Sequence, residues 1–408
     1  MIHILHTADL HLGKVIYEHS LIEDQKKVLA LLKDILKKAN TAKDPYSALV
    51  ISGDIYDRSI PNPEAISLFD SFLTEVKKEN PELALFLHPG NHDSAARLSY
   101  ASELLKNQNI HIATKFSDSL KATLLKKGEE RLAVFQIPFL TAGFLHGQEG
   151  SEKRRSQEEM LSFVIEKIQE EKEALEIKEG LEKNSLPSLL SAHLFTLGGS
   201  ESDSERTIVG TAEYVNANLF SPFTYTALGH LHKSQKVFEN DSAAVYYSGA
   251  PIAYSFGEGD KSFLSVSIDT EKNKIASIKK IPIEPLRKMT QLEGSFSDFF
   301  SKDRFDAHRE EYLEIKLKDA NLIENPMQLL RSKFPYLLSI NQSYALSKQE
   351  GSSLLTERKE VLEKKNSFAD ILNLFIKDVD TSLDENEVEK LLSLAMSIEK
   401  EKQEKEIQ

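Results

Sequence analysis

Apolar residues cluster in short runs along the first two thirds of this chain. Six of them, at 2–8, 48–51, 83–87, 132–137, 188–192 and 225–229, are continuous or alternating in the manner of buried strands. Between the runs the period changes to that of a helix. Val28, Leu31, Leu32, Ile35 and Leu36 share one face of 21–38. Asn62-Pro63 reads as a cap followed by proline at the first helical position, and Ile66, Phe69, Phe72, Leu73 and Val76 carry that helix to Lys78. Leu98, Leu104 and Leu105 mark a further helix over 94–106. A charged helix is expected over 156–183, with Met160, Phe163, Val164, Ile168 and Leu175 as its apolar positions. These stripes are read as core against a sheet, with one face as a dimer contact the minority reading. Strands alternating with helices predict an α/β fold.

Further on, a Gly/Ser/acidic loop occupies 197–204, and short runs at 236–238, 244–247 and 263–266 suggest a second, antiparallel sheet. Ile281-Pro282-Ile283-Glu284-Pro285 is a plausible boundary, placing one α/β domain over 1–280. A small α+β domain follows over 281–355, with a strand at 311–317 and a helix near 326–334. Residues 356–408 form an expected pair of amphipathic helices, lined by Phe368, Ile371, Leu372 and Phe375, then by Val388, Leu391, Leu392, Leu394 and Ile398. Such a pair has little core of its own and must dock on this protein or on a partner.

The chemistry lies where the strand-like runs stop. The run at 48–51 leads into Ser52-Gly53-Asp54, and a carboxylate at that end of a parallel strand faces the crevice where α/β sheets bind ligands. The first run delivers Asp9 and His11, the third Asn91, the fifth His193, and the sixth His230 and His232. Only the run at 132–137 ends without a ligand type, on Pro138. Imidazole and carboxylate donors together suit Mn, Fe or Zn better than Mg or Ca. Asp9, His11, Asp54, Asn91, His193, His230 and His232 are too many for one ion and suit two that share a carboxylate, Asp54 being the natural bridge. A pair of cations roughly 3.5–4 Å apart is the usual apparatus of phosphoester hydrolysis. His92, beside Asn91, is the candidate for polarising a phosphoryl oxygen or protonating the leaving oxygen. Asp57 and Asp93 read as acceptors behind the ligands. Arg58 either pairs with Asp57 or meets a phosphate, and His3, His6, His88 and His146 read as ordinary core or surface histidines.

Composition narrows the setting. The 408 residues suffice for two or three domains, and the absence of cysteine excludes disulfides and thiolate metal sites. No apolar run is long enough to span a bilayer and no signal peptide is evident, so a cytoplasmic protein beginning at Met1 is expected. A net charge of −13 argues mildly against coating nucleic acid by bulk electrostatics. Contact with nucleic acid would need a local basic patch, for which Lys14, Arg58, Arg97 and Lys233 are the candidates near the motifs, or a partner.

In order and spacing, Asp9-Leu10-His11, Gly53-Asp54-Ile55-Tyr56-Asp57-Arg58, Gly90-Asn91-His92-Asp93, His193 and Gly229-His230-Leu231-His232 resemble the calcineurin-like metallophosphoesterase superfamily. The run from Thr7 to Lys14, Asn91 to Ser94, Leu228 to Lys233 and Tyr247-Ser248-Gly249-Ala250-Pro251 through Tyr254-Ser255-Phe256 resemble its SbcD branch, nuclease subunits of bacterial SbcCD complexes. The resemblance covers the first 280 residues by motif and the rest by layout only. It implies a four-layer αββα sandwich with a small α+β capping domain and a C-terminal helical pair. It implies two divalent ions, usually Mn2+: one held by Asp9, His11, Asp54 and His232, the other by Asp54, Asn91, His193 and His230, with His92 as the catalytic histidine. It also implies an SbcC-like coiled-coil ATPase as partner, gripped by the helical pair, and a homodimer within a heterotetramer. The implied activity is DNA cleavage: ATP-dependent exonuclease on duplex ends, endonuclease on hairpins and single strands, in repair, recombination and replication. Ala250 departs from a serine expected in many members. The alternative is another phosphoesterase of this scaffold, acting on nucleotides or phosphoproteins. A scaffold without activity would show eroded ligands, and none is eroded.

Overall fold

The computed structural model describes residues 1–42, 44–141, 143–148, 154–196 and 214–343. The loop expected at 197–204 and the helical pair expected at 356–408 lie outside the described residues. The chain divides into two compact units, the first comprising Met1–Gln291 with His308–Glu314 and Phe334–Ser339.

Two six-stranded sheets form the interior of this unit. The first has the order Lys274–Ile283, Lys261–Asp269, Ile2–Thr7, Ala48–Ile51, Ala84–Leu87, Ile110–Ile112. Its last four strands are parallel, and the other two join antiparallel. The second has the order Gln235–Glu239, Ala244–Tyr247, Tyr225–Gly229, Ser188–His193, Glu130–Ile137, Thr123–Lys127, with four parallel strands between antiparallel edges. The late strands thus differ from the antiparallel second sheet expected of them. Ala244–Tyr247 extends the second sheet in parallel, while the run at 263–266 belongs to Lys261–Asp269, which pairs with Ile2–Thr7 in the first. Short apolar runs carry no direction, and partner choice rests on contacts far apart in sequence.

The strand period of two explains the layering. Register aligns Leu5 with Leu49 and Leu49 with Leu85, and one step earlier Ile4 with Ala48 and Ala48 with Ala84. The leucine row packs outward on Val28, Leu32, Leu36, Phe69, Phe72 and Val76 of the helices Ile22–Thr41 and Pro63–Glu79. The other row packs inward with Leu132, Val134, Leu189, Tyr225 and Ala227 of the second sheet. That sheet's far face is covered by Met160, Leu161, Val164, Ile165 and Ile168 of the helix Gln157–Lys178. The result is helix, sheet, sheet, helix, the four-layer sandwich. No described helix is long and apolar enough to cross a membrane.

Helix boundaries follow local chemistry. Asn62 caps Pro63–Glu79, its side chain accepting from Ala65 N at 2.8 Å. Ser156 and Glu159 form a capping box for Gln157–Lys178. The single helix expected over 94–106 is instead two short ones, Ala95–Leu98 and Ser102–Leu105, broken where Ala101 adopts a left-handed φ of 56°. Apolar spacing does not register such a break.

Among the described residues, the second unit comprises Leu292–Ala307, Ile315–Lys333 and residues 340–343. Its helix Phe296–Ser301 starts at a capping box of Ser295 and Asp298, and buried Phe299 stacks on Phe305 with centroids 4.4 Å apart. A three-stranded sheet is formed by Met289–Gly294, Tyr312–Leu317 and Leu337–Asn341, and Pro326–Arg331 is helical.

Candidate metal centre

The loops after five inner strands meet at one end of the sandwich. Asp9 N donates to Gly53 O at 3.1 Å and His11 N to Asp54 O at 2.9 Å, so the loop after Ile2–Thr7 lies along the loop after Ala48–Ile51. Four of the seven expected ligands have positive φ: Asp9 at 54°, His11 at 41°, Asp54 at 48° and His230 at 106°. Non-glycine residues are held there only when their surroundings over-determine them, and such residues cluster at functional sites. Part of the surroundings is backbone. Asp9 Oδ1 accepts from His230 N at 2.9 Å, and Asp54 Oδ1 from His92 N at 2.9 Å. Gly90 approaches so closely that a Cβ there would lie 2.1 Å from Asp54 Oδ1.

All seven expected ligands are brought together. Nε2 of His11 lies 3.2 Å from Nε2 of His232 and 3.6 Å from Asp54 Oδ2. On the other side of Asp54, Oδ2 is 3.4 Å from His193 Nε2, and Asn91 Oδ1 is 3.0 Å from His193 Nε2 and 3.1 Å from His230 Nδ1. Asp54 is therefore central to both groups. His193 donates from Nδ1 to Ser52 O at 2.9 Å, which turns its Nε2 toward the cluster.

The residues fit divalent cations. Oδ2 of Asp9 is buried with no hydrogen-bond partner. Imidazoles, two carboxylates and an amide oxygen converge where burial disfavours charge. Burial, reinforced by Asp54, raises the Asp9 carboxyl to about 7. Burial works to raise Asp54 too, but His193, His11 and His92 hold it well below the usual carboxylate range. Burial and the neighbouring His193 lower His230 to about 3, and burial holds His11 well below its ordinary value. His193 goes the other way: burial opposes its charge, yet the Asp54 carboxylate beside it raises it to about 9.

The supporting residues have distinct places. Asp93 accepts from Ile55 N, Tyr56 N and Gly90 N at 2.9–3.0 Å and ties the loop carrying Asp54 to the one carrying Asn91. Asp57 accepts from Lys14 Nζ at 2.6 Å and lies 3.6 Å from His11 Nδ1. Arg58 is exposed, 3.8 Å from Asp57. Arg97 is exposed, and Lys14 and Lys233 are half-buried.

Some residues assigned no role from sequence stand close to the ligands. Tyr254 packs edge-on against both His11 and His232 and donates from its hydroxyl to Leu10 O at 2.6 Å. Buried Glu258 and Lys261 stand behind His232. Glu258 sits between glycines in an otherwise unremarkable loop, and nothing local distinguishes it. His6 and His88, read as ordinary, are fully buried in a polar chain between the sheets. His6 pairs with Tyr225 Oη at 2.9 Å, His88 with Ser191 Oγ at 2.8 Å, and Ser52 Oγ with Ser191 Oγ at 2.9 Å.

Residues 2–234 match the model of the calcineurin-like phosphoesterase family, and residues 285–380 match that of the type 5 capsule protein repressor C-terminal domain. A relative from Staphylococcus saprophyticus, named as the SbcD component of the nuclease SbcCD, is 32% identical over 84% of this chain and 85% of its own. The chain belongs to the SbcD family of calcineurin-like phosphoesterases. Another SbcD relative, from Staphylococcus epidermidis, is 29% identical over 83% of this chain and 84% of its own. A solved dimetal phosphatase from Danio rerio is 11% identical, covering 70% of this chain and 98% of its own at a TM-score of 0.39. Membership of the SbcD family makes the chain a hydrolase of phosphoesters, and the cluster just described suits divalent metal.

Proposed function

We propose that this chain is the nuclease subunit of an SbcCD-type complex and hydrolyses DNA phosphodiesters at a pair of Mn2+ ions. The observation that carries the reading is the convergence of Asp9, His11, Asp54, Asn91, His193, His230 and His232 on one point at the end of both sheets. Asp9, His11, Asp54 and His232 would hold one ion, and Asp54, Asn91, His193 and His230 the other. Bound there, such ions hold the phosphate, activate a water and neutralise developing charge. The chain's own contribution is to fix the donors, to exclude water around Asp54, and to present His92 to the leaving oxygen. Arg58, Arg97, Lys14 and Lys233 are the groups proposed to meet DNA phosphates.

The partner is proposed to be a coiled-coil ATPase of the SbcC type, and the complex a cytoplasmic heterotetramer around a dimer of this chain. Ile66, Tyr100 and Leu104, exposed by 46%, 84% and 71% on or beside the helices after Asn62 and Ser94, support the dimer. With the partner, ATP-dependent exonuclease action on duplex ends and endonuclease action on hairpins are expected. The capping domain over 281–355 and the helical pair over 356–408 are proposed to serve that assembly.

Cleavage of an end-labelled DNA hairpin with Mn2+ tests the reading, beside Asp54→Asn and His92→Ala. Cleavage by the parent and by neither variant supports it. A parent inert on DNA, alone and with the ATPase, but active on nucleotides overturns the substrate in favour of the other phosphoesterase reading, which the net charge of −13 favours.

A further inference from the structure

Behind the metal ligands, one charge pair stands out by burial and aim. Glu258 has a fully buried side chain, and Lys261, 7% exposed, donates to its Oε2 at 2.5 Å. Ser255 Oγ donates to Oε1 at 2.8 Å. The same Oε1 lies 3.6 Å from Nδ1 of His232. Lys261 Nζ also donates to the backbone carbonyl of His232 at 2.9 Å. One buried pair thus faces the ring of His232 with its anion and holds the backbone of His232 with its cation.

The geometry favours one tautomer. A carboxylate accepts and does not donate, so Oε1 at 3.6 Å from Nδ1 of His232 favours the proton on that nitrogen and the lone pair on Nε2. That Nε2 is the atom facing His11 Nε2 in the cluster. A carboxylate against the far nitrogen of a metal-binding imidazole fixes ring orientation and raises its basicity. Lys261 cancels the charge of Glu258, so this is achieved without a further net negative charge beside Asp9 and Asp54. A pair serving only to fasten the 254–261 loop would have no need to aim an oxygen at the ring.

We infer that Glu258, held by Lys261 and Ser255, is the positioning residue for His232 and sets the affinity of the one metal site to which His232 contributes. The inference rests on the proposed metal reading and adds a residue to it. Neither Glu258 nor Lys261 would touch the ion or the substrate.

The test is calorimetric titration of the full-length chain with Mn2+, comparing the parent, Glu258→Gln and the double variant Glu258→Gln with Lys261→Met. The double variant leaves no buried charge unpaired, and so keeps the question open to test if the single variant fails to fold. One of two Mn2+ sites is expected to weaken by about 10–100-fold while the other keeps its affinity. DNA cleavage by the folded variant is expected to recover as Mn2+ is raised, which a fastening role would not produce. Lowered thermal stability with both sites at parental affinity overturns the inference and leaves the metal reading standing. A folded parent that binds no Mn2+ overturns both.

Discussion

Nδ1 of His92 donates to the carbonyl oxygen of Asp57 across 2.9 Å. A carbonyl only accepts, so this contact fixes the ring and leaves Nε2, 4.0 Å from Asp54 Oδ2, as the atom turned toward the cluster. The side chain of His92 is 27% exposed, against 1% for His11 and 0% for His193. Among these three rings, His92 is the one open to solvent.

Replacing His92 with Ala is therefore expected to lower the single-turnover rate of DNA cleavage by about 10²–10⁴-fold while Mn2+ affinity stays within a few-fold of the parent. Loss of metal together with activity would place His92 among the ligands instead.

Gly229 allows two loops to meet. A Cβ there would lie 1.8 Å from Ser52 O and 2.9 Å from His193 Nδ1. Gly229→Ala should destabilise the chain by roughly 1–3 kcal/mol or more in urea unfolding and should depress cleavage by displacing His193 and His230. Parental stability and activity would show that the close approach is not needed.

Acid should unfold the metal-free protein partly through its buried histidines. Burial lowers His6 and His88 to about 3, from an ordinary 6.5. Below 6.5 the unfolded chain takes up protons that the folded chain refuses. The stability these rings contribute is therefore whole above 6.5 and is lost as pH falls toward 3. Across pH 6.5 to 5, stability of the chelator-treated parent should fall more steeply than that of His88→Gln, by up to about 1.4 kcal/mol per pH unit. Equal slopes in denaturant titrations would reject the assignment.

Exposed and paired cations should differ at the DNA surface. Arg58→Ala and Arg97→Ala are each expected to weaken binding alike on all sequences and to reduce the salt slope by about one unit. Lys14 is tied to Asp57 and lies over the Tyr254 ring, so Lys14→Ala should disturb cleavage more than affinity. Anisotropy titrations over a range of salt separate the cases.

The residue types at the strand ends were legible because metal chemistry restricts them to few kinds and an α/β sheet puts them all at one edge. The helix cap at Asn62 and the stripes of Ile22–Thr41 and Pro63–Glu79 were legible because both are local. Partner choice for Lys261–Asp269 was not, since it pairs with Ile2–Thr7 at the opposite end of the unit's sequence. Glu258 was invisible for the same reason: it lies 26 positions from His232, and only folding brings carboxylate and ring together. The break at Ala101 depends on a single backbone angle that no apolar pattern encodes.

The proposed ligands come from both sheets: Asp9, His11, Asp54 and Asn91 follow strands of the first, while His193, His230 and His232 follow strands of the second. Neither sheet alone carries all seven proposed donors, so the proposed pair of sites is complete only when the two are folded and pressed together. A nascent or damaged copy with its layers apart would lack that complete pair. For an enzyme proposed to cut DNA, the architecture would double as a safety catch, engaged until assembly is complete.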